Sequence, residues 1–168
     1  MKHSLNPLDL KGEIISEINK SGGWVNCHSH LDRAYTLDKK SFHYTQKTLQ
    51  EKWDLVDYVK RNSTVTQIYD RMAQAIENLL KQNVRAIGSF IDVDEVVKDK
   101  SIQAAQKLRD KYKSDVQIVY INQVLKGVVD SKAREWFDTG SQFVDIIGGL
   151  PGKDQGREAE HIDIVLEK

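Results

Sequence analysis

Trp24-Val25-Asn26-Cys27-His28-Ser29-His30-Leu31-Asp32-Arg33 is the stretch from which the rest of the chain can be read. An apolar-leaning run follows the Ser21-Gly22-Gly23 turn signal and gives way to polar residues, which predicts a short strand. Side chains two apart on a strand share a face, so His28 and His30 are expected to project together, along with Asn26 and Asp32. Neutral imidazole nitrogens ligate divalent metals at about 2.0–2.1 Å, and two on one rigid strand arrive already oriented. His28 and His30 are therefore candidate metal ligands, with a polar pair at a strand end as the plainer alternative. The same alternation sends Cys27 to the opposite face, where it is expected to pack as a small buried residue. Asp32 and Arg33, just past the pair, are candidates for orienting the following loop through an ion pair.

Outward from this stretch, strand and helix signals alternate. Before it, Leu10, Ile14, Ile15 and Ile18 fit one face of an amphipathic helix in a lead-in that contains Pro7. After it, Tyr35 to Thr45 reads as a polar loop containing His43, a residue given no role, like His3 on the terminus. Thr48 and Glu51 form a capping-box pattern ahead of Leu49, Trp53, Val56 and Val59, whose helical spacing predicts core packing. A second helix is expected from about Thr66 to Gln82, closed by Asn83 in the left-handed conformation common after a helix. Val84 to Ile91 reads as a strand ending in Asp92-Val93-Asp94-Glu95. Ser101 to Tyr112 reads as a helix, Val116 to Ile121 as a strand closed by Asn122 and Gln123, and Lys132 to Phe137 as a short helix ended near Gly140. Phe143 to Ile147 is expected to be a fourth strand, and another helix opens near His161.

The strands beginning near 84, 116 and 143 are spaced like β-α-β units, and their continuous apolar runs suit a parallel sheet buried on both faces. Such an alternation builds either an open doubly wound sheet or part of a closed barrel. No Gly-x-Gly-x-x-Gly follows the first strand, which removes the usual nucleotide signature of the open form. In a barrel, chemistry gathers at the C-terminal ends of the strands. His28 and His30, then Asp92, then Gln123, then Gly148 to Gly152 all fall there. Asp92 could support a ligand histidine or simply end its strand. His161, after a glycine-containing loop, is expected to cap or buttress that loop, with a substrate contact as the other reading.

The His28-x-His30-Leu31-Asp32 motif, placed after an apolar strand entry and followed by this alternation, resembles the first-strand motif of the amidohydrolase superfamily, in particular its cytosine deaminase branch. Later segments are also similar: Val84 to Asp94, Gln117 to Gln123, Ile147 to Pro151 and His161 to Asp163. Phe90-Ile91 stands where that branch often carries a histidine. The resemblance implies an α/β chain of parallel β/α units forming the first half of a TIM-type (β/α)8 barrel. Residues 1–23 would be a lead-in and 24–168 a partial barrel of about four strands, truncated at the C-terminus. It further implies one divalent ion, zinc or iron, held in part by His28 and His30, with Gln123 contacting a small heterocyclic substrate. The remaining ligands and the proton-shuttling carboxylate would lie beyond Lys168. The implied reaction is hydrolytic deamination, with this chain inactive alone. The alternative is a non-catalytic half-barrel that pairs with another copy.

The composition limits the other classes. With 168 residues, 25 Lys and Arg balancing 25 Asp and Glu, the chain is sized for one core and gives no electrostatic reason to bind nucleic acid or an anionic membrane. The segment from Met1 to Lys20 lacks the apolar core of a signal peptide, and no run approaches ~18 apolar residues. A single cysteine excludes an internal disulfide, so a reducing, cytoplasmic location is expected, with a homo-oligomer covering the open sheet.

Overall fold

The computed structural model describes residues 9–37 and 47–168. His3, Pro7 and His43 lie outside the described residues, as does most of the loop expected after the first strand.

Three strands, β1 (Trp24–Ser29), β2 (Val84–Asp92) and β3 (Gln117–Gln123), form a parallel sheet in the order β1-β2-β3. Helices α3 (Val65–Lys81) and α4 (Lys100–Tyr112) are the crossovers before and after β2. Both pack on one face of the sheet, where Ile68, Met72 and Ile76 of α3 and Ala104, Ala105 and Leu108 of α4 meet Ile87, Ile91, Ile118 and Tyr120. Fully burying a side chain of isoleucine or methionine size stabilises by roughly 1.5–3 kcal/mol, so this face carries the main core. Thr64 caps α3 with a complete capping box to Gln67, and Asn83 closes it in the left-handed region at φ 61°. A smaller core of Val124, Val128, Phe137 and Ile164 joins the end of β3 to α5 (Ser131–Ser141) and α6 (Glu158–Leu166).

Along β2 and β3, buried residues alternate with half-buried ones. The chain thus covers one face well and the other partly, where the apolar runs alone suggest both faces buried. The neighbouring strands β2 and β3 are in continuous register from Ala86 with Gln117 to Asp92 with Gln123, which brings their C-terminal ends level. Strand β1 is irregular instead, with a shift between Asn26 and Ser29. A Cβ on Gly88 would stand 2.9 Å from the Cys27 carbonyl oxygen, so the glycine is what lets β1 come this close at the irregularity.

Several expectations are corrected. The fourth strand reduces to one parallel bridge, Ile121 with Ile146. Side chains take its ladder positions: Asp145 accepts the Tyr120 amide at 2.7 Å, and Asn122 accepts the Gly148 amide. Cys27 is exposed, because β1 is an edge strand. In α2 (Leu49–Asn62) the Thr48 capping box forms, but Leu49 and Trp53 are 62% and 42% exposed and the buried residue is Lys60. Two helices separate β1 from β2; α3 takes the core position and leaves none for the α2 stripe. Helix α5 ends at Ser141, next to Gly140 as expected, and a Cβ on Gly140 would stand 3.3 Å from Val93, so the glycine also lets the helix pack closely there. Helix α1 (Leu10–Lys20) forms with Asp9 as its cap, yet buries none of its residues.

Candidate active site at the strand ends

The site begins with the irregular β1. Ser29 donates to the Gly88 carbonyl at 2.9 Å, and Ser89 accepts the Leu31 amide at 3.0 Å, so the turn after His30 is stapled to β2. This brings the imidazoles of His28 and His30 together, with ring centroids 5.4 Å apart in an edge arrangement. Phe90 of β2 packs against both, 5.0 Å from His28 and 5.4 Å from His30. Nδ1 of His30 is buried with no hydrogen-bond partner among the described residues. Burial and then the positive charge of Arg33 hold the His30 pKa below its ordinary 6.5, which favours the neutral ring. A neutral ring is the form that ligates metals.

Beyond the pair lies a buried charge network. The Arg33 guanidinium binds both oxygens of Asp92, with Nε 2.9 Å from Oδ2. Lys60 reaches the same carboxylate at 3.1 Å and Asp94 at 2.5 Å. Asp94 also accepts the amides of Val96 and Val97, both at 2.9 Å. Asp32 accepts the Asp92 amide at 2.8 Å and the Ser101 hydroxyl at 3.3 Å, while its other oxygen has no partner among the described residues. Burial, followed by the charge of Asp92, pushes the Asp32 carboxyl up to about 7. Burial works against the charge on Lys60, but Asp92 and Asp94 outweigh it and raise its pKa; burial would likewise raise Asp94, but Lys60 and the two amides hold it below its ordinary 3.8.

Gln123 is level with Asp92 across β2 and β3, half-buried, with Oε1 lacking a partner among the described residues. His161 lies apart from this group. Its Nδ1 is 2.6 Å from Asp154, and its Nε2 accepts the Leu150 amide at 2.9 Å, which assigns the ring proton to Nδ1. Asp154 also accepts the Val128 amide at 2.8 Å, so the fully buried ring joins α6 to two loops.

The structure thus brings His28, His30, Asp32, Arg33, Asp92 and Gln123 to one end of the sheet and places His161 in the smaller core. Lys60, Asp94, Ser101 and Phe90 join the first group without having been read as site residues. Lys60 had a readable signal: it falls on the Trp53, Val56 stripe, at i+7 and i+4, where a charge is out of place unless paired. Among the described residues no group of three or more His, Cys, Asp or Glu side chains could hold a metal ion. His28 and His30 could supply at most two donors of a larger ligand set, the unpartnered His30 nitrogen among the atoms open to that role.

No family model matches the chain. An uncharacterized protein of Haemophilus influenzae is 48% identical over 163 residues, covering 95% of this chain and 59% of that protein. Among solved structures, 5-methylcytosine deaminase from Klebsiella pneumoniae liganded with 5-fluorocytosine superposes with a TM-score of 0.75 at 18% identity, over 86% of this chain and 35% of the enzyme. The same enzyme with phosphonocytosine gives 0.74 at 19% identity, over 86% and 36%. N-isopropylammelide isopropylaminohydrolase from Burkholderia multivorans gives 0.59 at 17% identity, over 85% and 36%. The chain therefore spans less than two thirds of the Haemophilus influenzae protein and about a third of each solved structure. The resemblance first seen around His28 and His30 holds at the level of architecture: the chain has the parallel β/α fold of about a third of a cytosine deaminase-type amidohydrolase.

Proposed function

We propose that this chain is part of a metal-dependent hydrolase that deaminates a small, cytosine-like nitrogen heterocycle. The observation that carries the reading is the His28 and His30 pair, set edge to face at the strand end, with a buried nitrogen of His30 free of any described partner. His28 and His30 would hold one divalent ion, zinc or iron. When bound, such an ion supplies Lewis acidity that activates water near neutral pH. Gln123 offers both a donor and an acceptor on one side-chain amide, a match for the adjacent acceptor and donor of a pyrimidine edge. Phe90 supplies an apolar wall beside the imidazoles, and the Arg33 to Asp92 pair fixes the turn that carries them. We assign no third ligand and no proton-transferring residue within the described residues. The reading goes with a reducing, cytoplasmic setting, in keeping with the single cysteine.

The test is metal binding by the purified chain. Cobalt or zinc titration, followed by absorbance and by elemental analysis after dialysis, is expected to give weak binding that His28→Ala and His30→Ala each abolish, with no deamination of cytosine by this chain alone. Binding no tighter than that of the double variant would overturn the reading. A second reading, self-association through the open sheet, is favoured by one observation: Trp24 and Val25 on edge strand β1 are 53% and 67% exposed.

A further inference from the structure

Lys60 sits where three parts of the molecule meet, and the proposed reaction makes no use of it. It is the buried residue of α2, a helix that packs broadly against no other described element. Its ammonium joins Asp92 to Asp94. On the other side of Asp92, Arg33 engages both carboxylate oxygens, and Asp32 receives the Asp92 amide. A continuous chain of charged contacts thus runs from α2, through the end of β2, into the turn that directly follows His28 and His30. Burying an ammonium between carboxylates adds little net stability compared with an apolar side chain of similar volume. What it does supply is direction, since without it the buried carboxylates of Asp92 and Asp94 would repel each other with only the Arg33 guanidinium left to hold Asp92 in place.

We propose that Lys60 is a positioning residue for the two histidines: by fixing Asp92 it holds Arg33, and through Arg33 the turn that aims both imidazoles. The functional consequence rests on reading the pair as metal ligands, whereas the geometry does not. Phe90 provides the probe, because both rings lie close enough to it for its ring current to shift their proton resonances. The experiment records histidine ring spectra of the metal-free chain at one fixed pH for wild type, Lys60→Met and Phe90→Leu, the last defining the unshifted positions.

In Lys60→Met, the His28 and His30 resonances are expected to move most of the way to their Phe90→Leu positions. His161, held by Asp154 and Leu150 in the other core, should keep its own. A general loosening would move all three. Zinc affinity is expected to fall about tenfold, as when a supporting partner of a ligand is removed. Unchanged His28 and His30 resonances in a folded Lys60→Met chain would overturn the proposal. Should that variant not fold, Asp92→Asn interrupts the same path while leaving Lys60 paired with Asp94, and unchanged resonances there would overturn it equally. A wild-type chain that binds no zinc would defeat the metal reading and leave the ring-shift result to decide the role of Lys60.

Discussion

Asp94 and Lys60 show how a pair of buried charges makes stability depend on pH at both ends of the scale. The Asp94 pKa lies below 3.8, so its contribution is present above that value and lost as pH falls through the folded one. The Lys60 pKa lies above 10.5, so its contribution is complete below that value and lost as pH rises through the folded one. Unfolding free energy from urea titrations is therefore expected to be insensitive to this pair in the neutral range and to fall at both extremes. Asp94→Asn should flatten the acid limb and lower stability near neutral pH by about 1–3 kcal/mol, the scale for hydrogen bonds to a charged group, because Lys60 keeps Asp92 at 3.1 Å. An acid limb identical to wild type would remove Asp94 from this account. His161 makes a different kind of residue-scale contribution, because both its nitrogens are engaged inside the smaller core. His161→Ala strands Asp154 and the Leu150 amide and should destabilise by roughly 2–4 kcal/mol, read from the same titrations.

The two helices between β1 and β2 differ in how they are held. Helix α3 buries Ile68, Met72 and Ile76, whereas α2 is fastened at separate points. Lys60 ties it to the end of β2, Asp57 accepts Lys126 at 2.7 Å after β3, and Lys153 stands 4.0 Å over the Trp53 ring. At its last turn Lys100 donates to the carbonyls of Lys60, Arg61 and Ser63 at 2.8, 3.1 and 2.7 Å. Both helices carry complete capping boxes, so equivalent substitutions compare them directly. Thr64→Ala is expected to lower global stability by about 1 kcal/mol, because α3 unfolds with the core. Thr48→Ala should leave the melting temperature nearly unchanged and instead speed amide exchange in the first turns of α2. Equal losses of global stability from both substitutions would mean that α2 belongs to the main cooperative unit.

At the scale of the whole molecule, the sheet is open where β1 has a neighbour on one side only. Val25 is exposed there, and Trp24 with Leu10, Ile14, Ile15 and Ile18 lines an apolar groove of about 730 Å³ beside α1. Parallel sheets are normally covered on both faces, and an uncovered apolar edge is a template for association. Sedimentation of the chain should therefore depend on its concentration, and Val25→Lys should shift it to monomer, as a charge on an edge strand opposes pairing. A wild-type chain that is monomeric throughout the range would count against self-association. No described helix is long and apolar enough to cross a membrane.

Local chemistry was legible from the residues alone. The Gly22-Gly23 turn, the Thr48 and Glu51 cap and the Asn83 terminus each depend on neighbours in the chain, and the structure shows them where the pattern predicts. The pairing of His28 with His30 was legible only in part, since alternation relates them along a strand, but β1 ends at Ser29 and the Ser29 and Ser89 bonds to β2 set the turn that brings the rings within 5.4 Å. Tertiary structure decided what depends on distant partners. It set α2 across the strand ends instead of in the core, left Cys27 exposed on an edge, and replaced a fourth strand by side-chain bonds from Asp145 and Asn122. Above all it joined Lys60, Asp92, Asp94, Arg33 and Asp32 into one buried network, with Asp32 and Asp92 bonded across 60 positions of the chain. Periodicity reports which face of an element is apolar, but the desolvation of a charge is settled only by the groups that long-range folding brings against it.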